Sequence, residues 1–326
     1  MTDKFRLLML GAMYENGGNT THRFLDGHPQ LFVYPFESQL GTRLVNDQLS
    51  STFPVKYRWP EFALDATPFE DYKAIIDEEG KVRARTPNVS KFRHEPMDFS
   101  DDDRLEKYLA HIKVSGRSRA KNVAAFFKAS FEAWKDYKKS GREEVYVGYS
   151  PVLVVDADKI LNDMPEAHFL HVVRNPWSAY ADTKKRPVPL SLKNYMVGWT
   201  LNQYFALLYK EQFPDRMHIV RAEDVMADSK KALGAICTKL GLEVADSLKT
   251  PTWNGKELTE VYPWGTIRKA TPEANIATAH ELSAVEKEQI RQMTSQYLDV
   301  FGYRSLLDDG VPAEPQMALT GGKSAK

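Results

Sequence analysis

Short apolar runs alternate with stretches of helical period along most of this chain. Phe5–Leu10 is such a run, ended by Gly11, and predicts a buried strand. A Gly/Asn/Thr-rich turn follows, and Thr20–Gly27 then reads as a helix with Phe24 and Leu25 as its apolar positions. Leu31–Tyr34, closed by Pro35, is a second strand. Further on, "EEVYVGYSP", "AHFLHVVRNP" and "MHIVRAED" predict three more. Between them, "RSRAKNVAAFFKASFEAWKDYKKSG" carries Val123, Phe126, Phe127, Phe131 and Trp134 at helical spacing, with Gly141 as its stop. "VDADKILNDMP" predicts a short helix capped by Asp156, and Leu192–Glu211 and Ser229–Leu240 predict two longer ones. "LSAVEKEQIRQMTSQYLDVFGY" is the last, with Ser283 as N-cap and Gly302 past its end. From Thr52 to about Asp103 neither period is sustained and Pro and charge dominate, which predicts an insertion or cap over the core.

Strands this apolar, alternating with helices, predict a central parallel sheet covered on both faces, a three-layer α/β/α fold. Ligands of such sheets bind beyond the carboxyl ends of the strands. The chemically suggestive residues fall there: the Gly/Asn/Thr turn, Glu37, Tyr149-Ser150-Pro151, Arg174 and Arg221-Ala222-Glu223-Asp224. One shared site is therefore expected. The domain is taken as residues 1–307, with the cap at about 52–113 and a disordered tail at 308–326.

Composition changes little. Lys+Arg and Asp+Glu are both 44, so net charge gives no argument for nucleic acid or a membrane surface, though a local basic pocket for a small anion stays open. Cys237 is the one cysteine; its apolar helical setting predicts a packed core thiol and suits a reducing compartment. The N-terminal apolar run is too short for a signal segment and nothing approaches 18 apolar residues, so a cytoplasmic protein without membrane insertion is expected. Among the eight His and the single Cys no metal-ligand spacing occurs, and no metal is expected.

The order of "GGNTTHRFLDGHPQLFVYPFES", "YSPVLVVDADKILNDMPEAHFLHVVRNPWSAY", "RAEDVMADSKKALGAICTKLGL" and "YLDVFGY" resembles the sulfotransferase family, in the style of its bacterial and Golgi-type members. The resemblance covers roughly Phe5 to Tyr303, with a poor match over Thr52–Lys113. It implies a P-loop-like α/β domain that binds 3'-phosphoadenosine 5'-phosphosulfate (PAPS) and transfers its sulfuryl group to a hydroxyl or amine. A small organic or carbohydrate acceptor is the expected partner, and a homodimer is left open. In the family's pattern a basic residue followed by Ser-Gly-Thr holds the 5'-phosphosulfate. An Arg-x-Pro segment, with a Ser eight residues after the Arg, grips the 3'-phosphate.

Set on this chain, the first loop falls on Glu15-Asn16-Gly17-Gly18-Asn19 or, one residue on, Asn16-Gly17-Gly18-Asn19-Thr20. Neither register supplies a cation. The backbone N–H groups of Gly17–Thr21 and the hydroxyls of Thr20 and Thr21 are what remains to hold an anion. Arg174 precedes Pro176 as the pattern asks, but eight residues on stands Asp182, with Ser178 as a substitute hydroxyl. Tyr149 stands where many relatives have Lys. Candidate replacements for the missing cations are His22, Arg43, Arg186 and Arg268. "WGTIRKAT" resembles the family's late basic loop, which adds Arg268 and Lys269 as phosphate contacts. Glu37 matches the general base of Golgi-type relatives, against the alternative of a salt bridge with Arg43. Trp59 and the other cap aromatics, Phe62, Phe69, Tyr72 and Phe92, are candidates to line the acceptor pocket. His28, Glu223 and Asp224 are expected to hold loops. Three functions stay open at this point: a PAPS-dependent sulfotransferase, an enzyme on the same fold with another donor or reaction, and a non-catalytic binding protein.

Overall fold

Strand β1 (Leu7–Ala12) is buried at every position because its two faces meet different layers. Leu7 and Met9 pack into one hydrophobic cluster, and Leu8, Leu10 and Ala12 into another. The structure, a computed structural model, describes residues 4–38, 40, 45, 47, 49, 57–85, 97–186, 189–258 and 271–307. Five parallel strands form its central sheet in the order β2-β3-β1-β4-β5, with β2 Leu31–Val33, β3 Val145–Pro151, β4 Ala167–Val173 and β5 Met217–Arg221. Ala12 lies opposite Pro151 on one side and Val172 on the other, so β1, β3 and β4 finish nearly level. That shared edge is where the expected residues gather.

On one face lie α1 (Gly18–Leu25), α8 (Ala222–Ala227) and α9 (Ser229–Lys239), which bring Phe24, Val225 and Leu233 to the sheet. On the other lie α2 (Pro68–Arg85), α3 (Asp101–Ser115), α4 (Arg119–Ala133), α5 (Ala157–Asp163) and α7 (Leu192–Gln212). Tyr72, Tyr108, Phe126, Ile160 and Ala206 are their contributions to its core. A third cluster joins α6 (Pro176–Lys184), α7, α10 (Pro272–His280) and α11 (Ala284–Leu298) around Met13, Val152 and Val173, just past the strand ends. The α/β/α layering is thus the one the apolar strands predict. Cys237 is a buried core thiol whose pKa burial raises to about 11. Among the described residues no helix is long and apolar enough to cross a membrane.

Three local expectations are corrected. Pro68–Arg85, expected to be irregular, is an 18-residue helix. Tyr72 and Ile75 share its buried face while Phe69 is exposed, an amphipathic pattern hidden by the dense charge between them. Helix α4 stops at Ala133 rather than running to Gly141, because Trp134 turns extended and bridges Phe99, while Lys135 N donates to Asp98 O. Asp156 stands at the N-cap position of α5 as expected, but its side chain makes no cap hydrogen bond. Its carboxylate instead accepts from Arg58 Nε at 2.7 Å, Arg58 Nη2 at 2.8 Å and Trp59 N at 2.8 Å, tying the cap segment to the core.

Candidate functional site

After Ala12 the chain reverses into α1 through two residues with left-handed backbone, Glu15 (φ 59°) and Gly17 (φ 80°). Gly17 adopts it freely, whereas Glu15 must be held there. Arg174 Nη1 holds it by donating to Glu15 O at 2.8 Å. Asn16 fastens the turn from the other side: its Nδ2 donates to Tyr14 O at 2.9 Å and to Tyr195 OH at 3.0 Å, and its Oδ1 accepts from Arg174 N at 3.0 Å. The Asn16 side chain is therefore a staple between loop and sheet.

The first helical hydrogen bond runs from Thr21 N to Gly17 O at 2.9 Å. The N–H groups of Gly18, Asn19 and Thr20 precede it, and no side chain among the described residues caps them. Thr20 Oγ1 is buried in the same first turn with no hydrogen-bond partner among the described residues. Orphan donors at the positive end of a helix dipole make a cradle for an anion. Tyr149 walls it. A Cβ on Gly18 would lie 2.6 Å from Tyr149 Cε2 and 2.7 Å from Ala12 Cβ, so this position accepts only glycine without a shift.

The side-chain charges at the loop differ from the expected set. His22 is buried, with its Nδ1 2.8 Å from Arg23 Nη2. Burial first, and Arg23 second, hold its pKa far below the usual histidine value, so the ring is neutral and brings no cation. Arg186 does stand beside the loop, its guanidinium 5.1 Å from the Tyr14 ring centroid and 3.6 Å from Glu15 Oε1. Arg43, Arg268 and Lys269 lie outside the described residues. Glu37 is half-buried at the same edge, where Ser38 N donates to Tyr149 O at 2.6 Å. It is near enough to Tyr14 to add to the effect of burial in raising that phenol's pKa, while Arg186 lowers it.

Arg174, Ser178 and Asp182 come together, but on one another and on α10. Arg174 is buried; its Nε donates to Asn275 Oδ1 at 2.6 Å and its Nη1 to Asp182 Oδ2 at 2.7 Å as well as to Glu15 O. Burial raises the Asp182 pKa and Arg174 opposes this from contact distance. Lys185 Nζ reaches the other Asp182 oxygen at 3.4 Å. Ser178 Oγ donates to Asn275 O at 2.6 Å. A further anion about 4 Å from an ionised Asp182 would feel a repulsion of about 4 kcal/mol per charge at an effective dielectric near 20. These residues do not fit a 3'-phosphate as they stand.

Glu223 holds the surrounding loops. Its Oε1 accepts from Asn175 Nδ2 at 2.8 Å and Asn275 Nδ2 at 3.0 Å, and its Oε2 from Tyr303 OH at 2.8 Å. Asp224 pairs with Arg221 at 2.5 Å, and His28 joins Gln30 N to Glu243 O. Trp59 and Tyr72 are packed in the core, each 1% exposed. Tyr14, Tyr195 and Asn275 escaped notice in the sequence. Tyr14 belongs to the first loop, whereas Tyr195 and Asn275 sit in no motif, and only the packing of α7 and α10 against that loop brings them to it.

The family model described as "Sulfotransferase family" matches residues 17–246. Among solved structures, the sulfotransferase domain of the olefin synthase from Synechococcus PCC 7002 aligns at 15% identity over 90% of this chain and 97% of its own, with a TM-score of 0.46. A sulfotransferase from Mycobacterium avium aligns at 12% identity over 92% and 78%, with a TM-score of 0.44. Retinol dehydratase, solved with androsterone and the inactive cofactor PAP, aligns at 11% identity over 91% and 82%, with a TM-score of 0.41. No curated protein sequence matches.

Proposed function

The chain belongs to the sulfotransferase family, and from that premise we propose that it moves a sulfuryl group from a nucleotide phosphosulfate to a hydroxyl or amine of a small organic or carbohydrate acceptor. The observation that carries this is the start of α1, where three uncapped N–H groups and the unpartnered Thr20 hydroxyl await an anion. They suit the 5' end of the donor. PAPS is the donor the family resemblance implies, and its 3'-phosphate is the part that the Arg174–Asp182 pair does not fit.

The other groups follow from their places. Sulfuryl transfer asks a protein mainly to align two groups and to meet spreading negative charge with fixed donors. Tyr149, packed on Gly18, offers a hydroxyl beside the cradle, and Arg186 offers a cation if it releases Glu15. Glu37, at the same edge, is the base for the acceptor's proton.

The test is transfer of label from 35S-phosphosulfate nucleotides to a panel of phenols, sterols and sugars. Transfer to one class is expected. Glu37→Gln should lower kcat by about 10²–10⁴ with nucleotide binding retained; unchanged turnover removes Glu37 from the chemistry. No transfer to any acceptor, with binding of the desulfated nucleotide intact, would leave a binding protein on this scaffold.

A further inference from the structure

We infer that the nucleotide this chain binds is not held by a 3'-phosphate, because the Asp182 carboxylate already occupies Arg174, the group that would receive it. The inference rests on the proposed binding of a 5' anion at the start of α1, and it names the donor class: a 5'-phosphorylated nucleotide with a free 3'-hydroxyl.

The charge at Asp182 leads there, and the hydrogen bonds show how firmly it is fixed. A guanidinium has five N–H donors, and three of Arg174's are used by Asn275 Oδ1, Glu15 O and Asp182 Oδ2. Asp182 is fully buried in the second turn of α6, so its charge is neither screened by water nor free to swing away. Ser178, the other hydroxyl of the segment, is spent on Asn275 O. Asn275 is in turn closed by Glu223, which also takes Asn175 and Tyr303. Lys185, a further cation at this carboxylate, is shared between Asp182 and Glu281. A 3'-phosphate would therefore either take the two remaining N–H groups of Arg174 Nη2 beside the buried Asp182 charge, or break the Arg174–Asp182 pair and leave that carboxylate with Lys185 alone, and either is costly. Breaking the pair would also loosen Glu15, whose left-handed backbone Arg174 holds in place, and with it the cradle for the 5' anion.

The experiment is calorimetric titration of the full chain with adenosine 3',5'-bisphosphate and with adenosine 5'-monophosphate. Dissociation constants equal within threefold are expected. A bisphosphate that binds tenfold tighter or more overturns the inference and moves the 3'-phosphate to other cations, Arg268 and Lys269 first. Binding of neither nucleotide overturns the α1 cradle itself, a different failure with a different signature. Asp182→Asn, which removes the charge and keeps the shape, should tilt the ratio at least tenfold toward the bisphosphate; a ratio unchanged in a folded variant overturns the role given to Asp182. If that variant does not fold, the wild-type ratio still decides.

Discussion

At Gly18 the first turn of α1 touches Tyr149 and Ala12 so closely that even one methyl has no place. Gly18→Ala should therefore cost about 1–3 kcal/mol, the usual range for forcing a methyl into a packed site, read as a lower urea midpoint at unchanged m-value. The same shift pushes the phenol off the cradle, so nucleotide affinity should fall with it. Unaltered stability and affinity would mean that the ring yields freely and does not wall the site. The residue scale is also where sequence and structure differ most. Gly18, Tyr149, Arg174 and Asp182 are all conspicuous in the sequence. Nothing in it says that Tyr149 rests on Gly18, or that Arg174 spends itself on Asp182, because these contacts join side chains from separate elements.

Among the elements, α11 is the most fully legible. Ser283 accepts from Glu286 N, and Glu286 Oε2 accepts from Ser283 N at 2.9 Å, a reciprocal capping box written in four consecutive residues. Ser283→Ala should lower stability by about 1 kcal/mol, measured by urea unfolding; no change would mean the exposed helix end is satisfied by water instead. Ile290 and Leu298 then bury the opposite face against Trp199 and its neighbours, which secures the site-side cluster. Helix α2 and the end of α4 were not legible in this way. The first has its apolar stripe diluted by charge, and the second ends where a tertiary bridge to Phe99 overrides a helical pattern that continues past it.

Across the whole molecule, the end of the sheet opposite the site carries a histidine pair. His168 Nδ1 lies 2.9 Å from His218 Nε2, with stacked rings at the starts of β4 and β5. Burial first, then His168, Lys239 and Lys210, push the His218 pKa down to about 3. Burial with Arg216 and Arg6 lowers that of His168, against Glu166, which raises it. A histidine with a lowered folded pKa binds fewer protons folded than unfolded. Its stabilising effect is therefore complete above the unfolded value near 6.5 and declines as pH falls toward the folded value. Between pH 6.5 and 5 the loss from His218 should be about 2 kcal/mol, at about 1.4 kcal/mol per unit. Urea unfolding at pH 7 and pH 5 checks this, and His218→Gln should flatten the dependence. A stability that does not fall over this range would show the pair to be charged or open to water.

The β1–turn–α1 entry, the apolar strands and the Ser283 cap are determined by the sequence itself, since strand burial, helical period and end caps are set within a few neighbouring residues. The α/β/α layering follows from them, because strands apolar at nearly every position have to be covered twice. Which groups surround the start of α1 was decided only by tertiary structure. Glu15, Asn16, Arg174, Asp182, Asn275 and Glu223 stand up to 260 residues apart and acquire their roles by contact. A buried charge takes its meaning from the partner that folding puts beside it, and spacing along the chain does not name that partner.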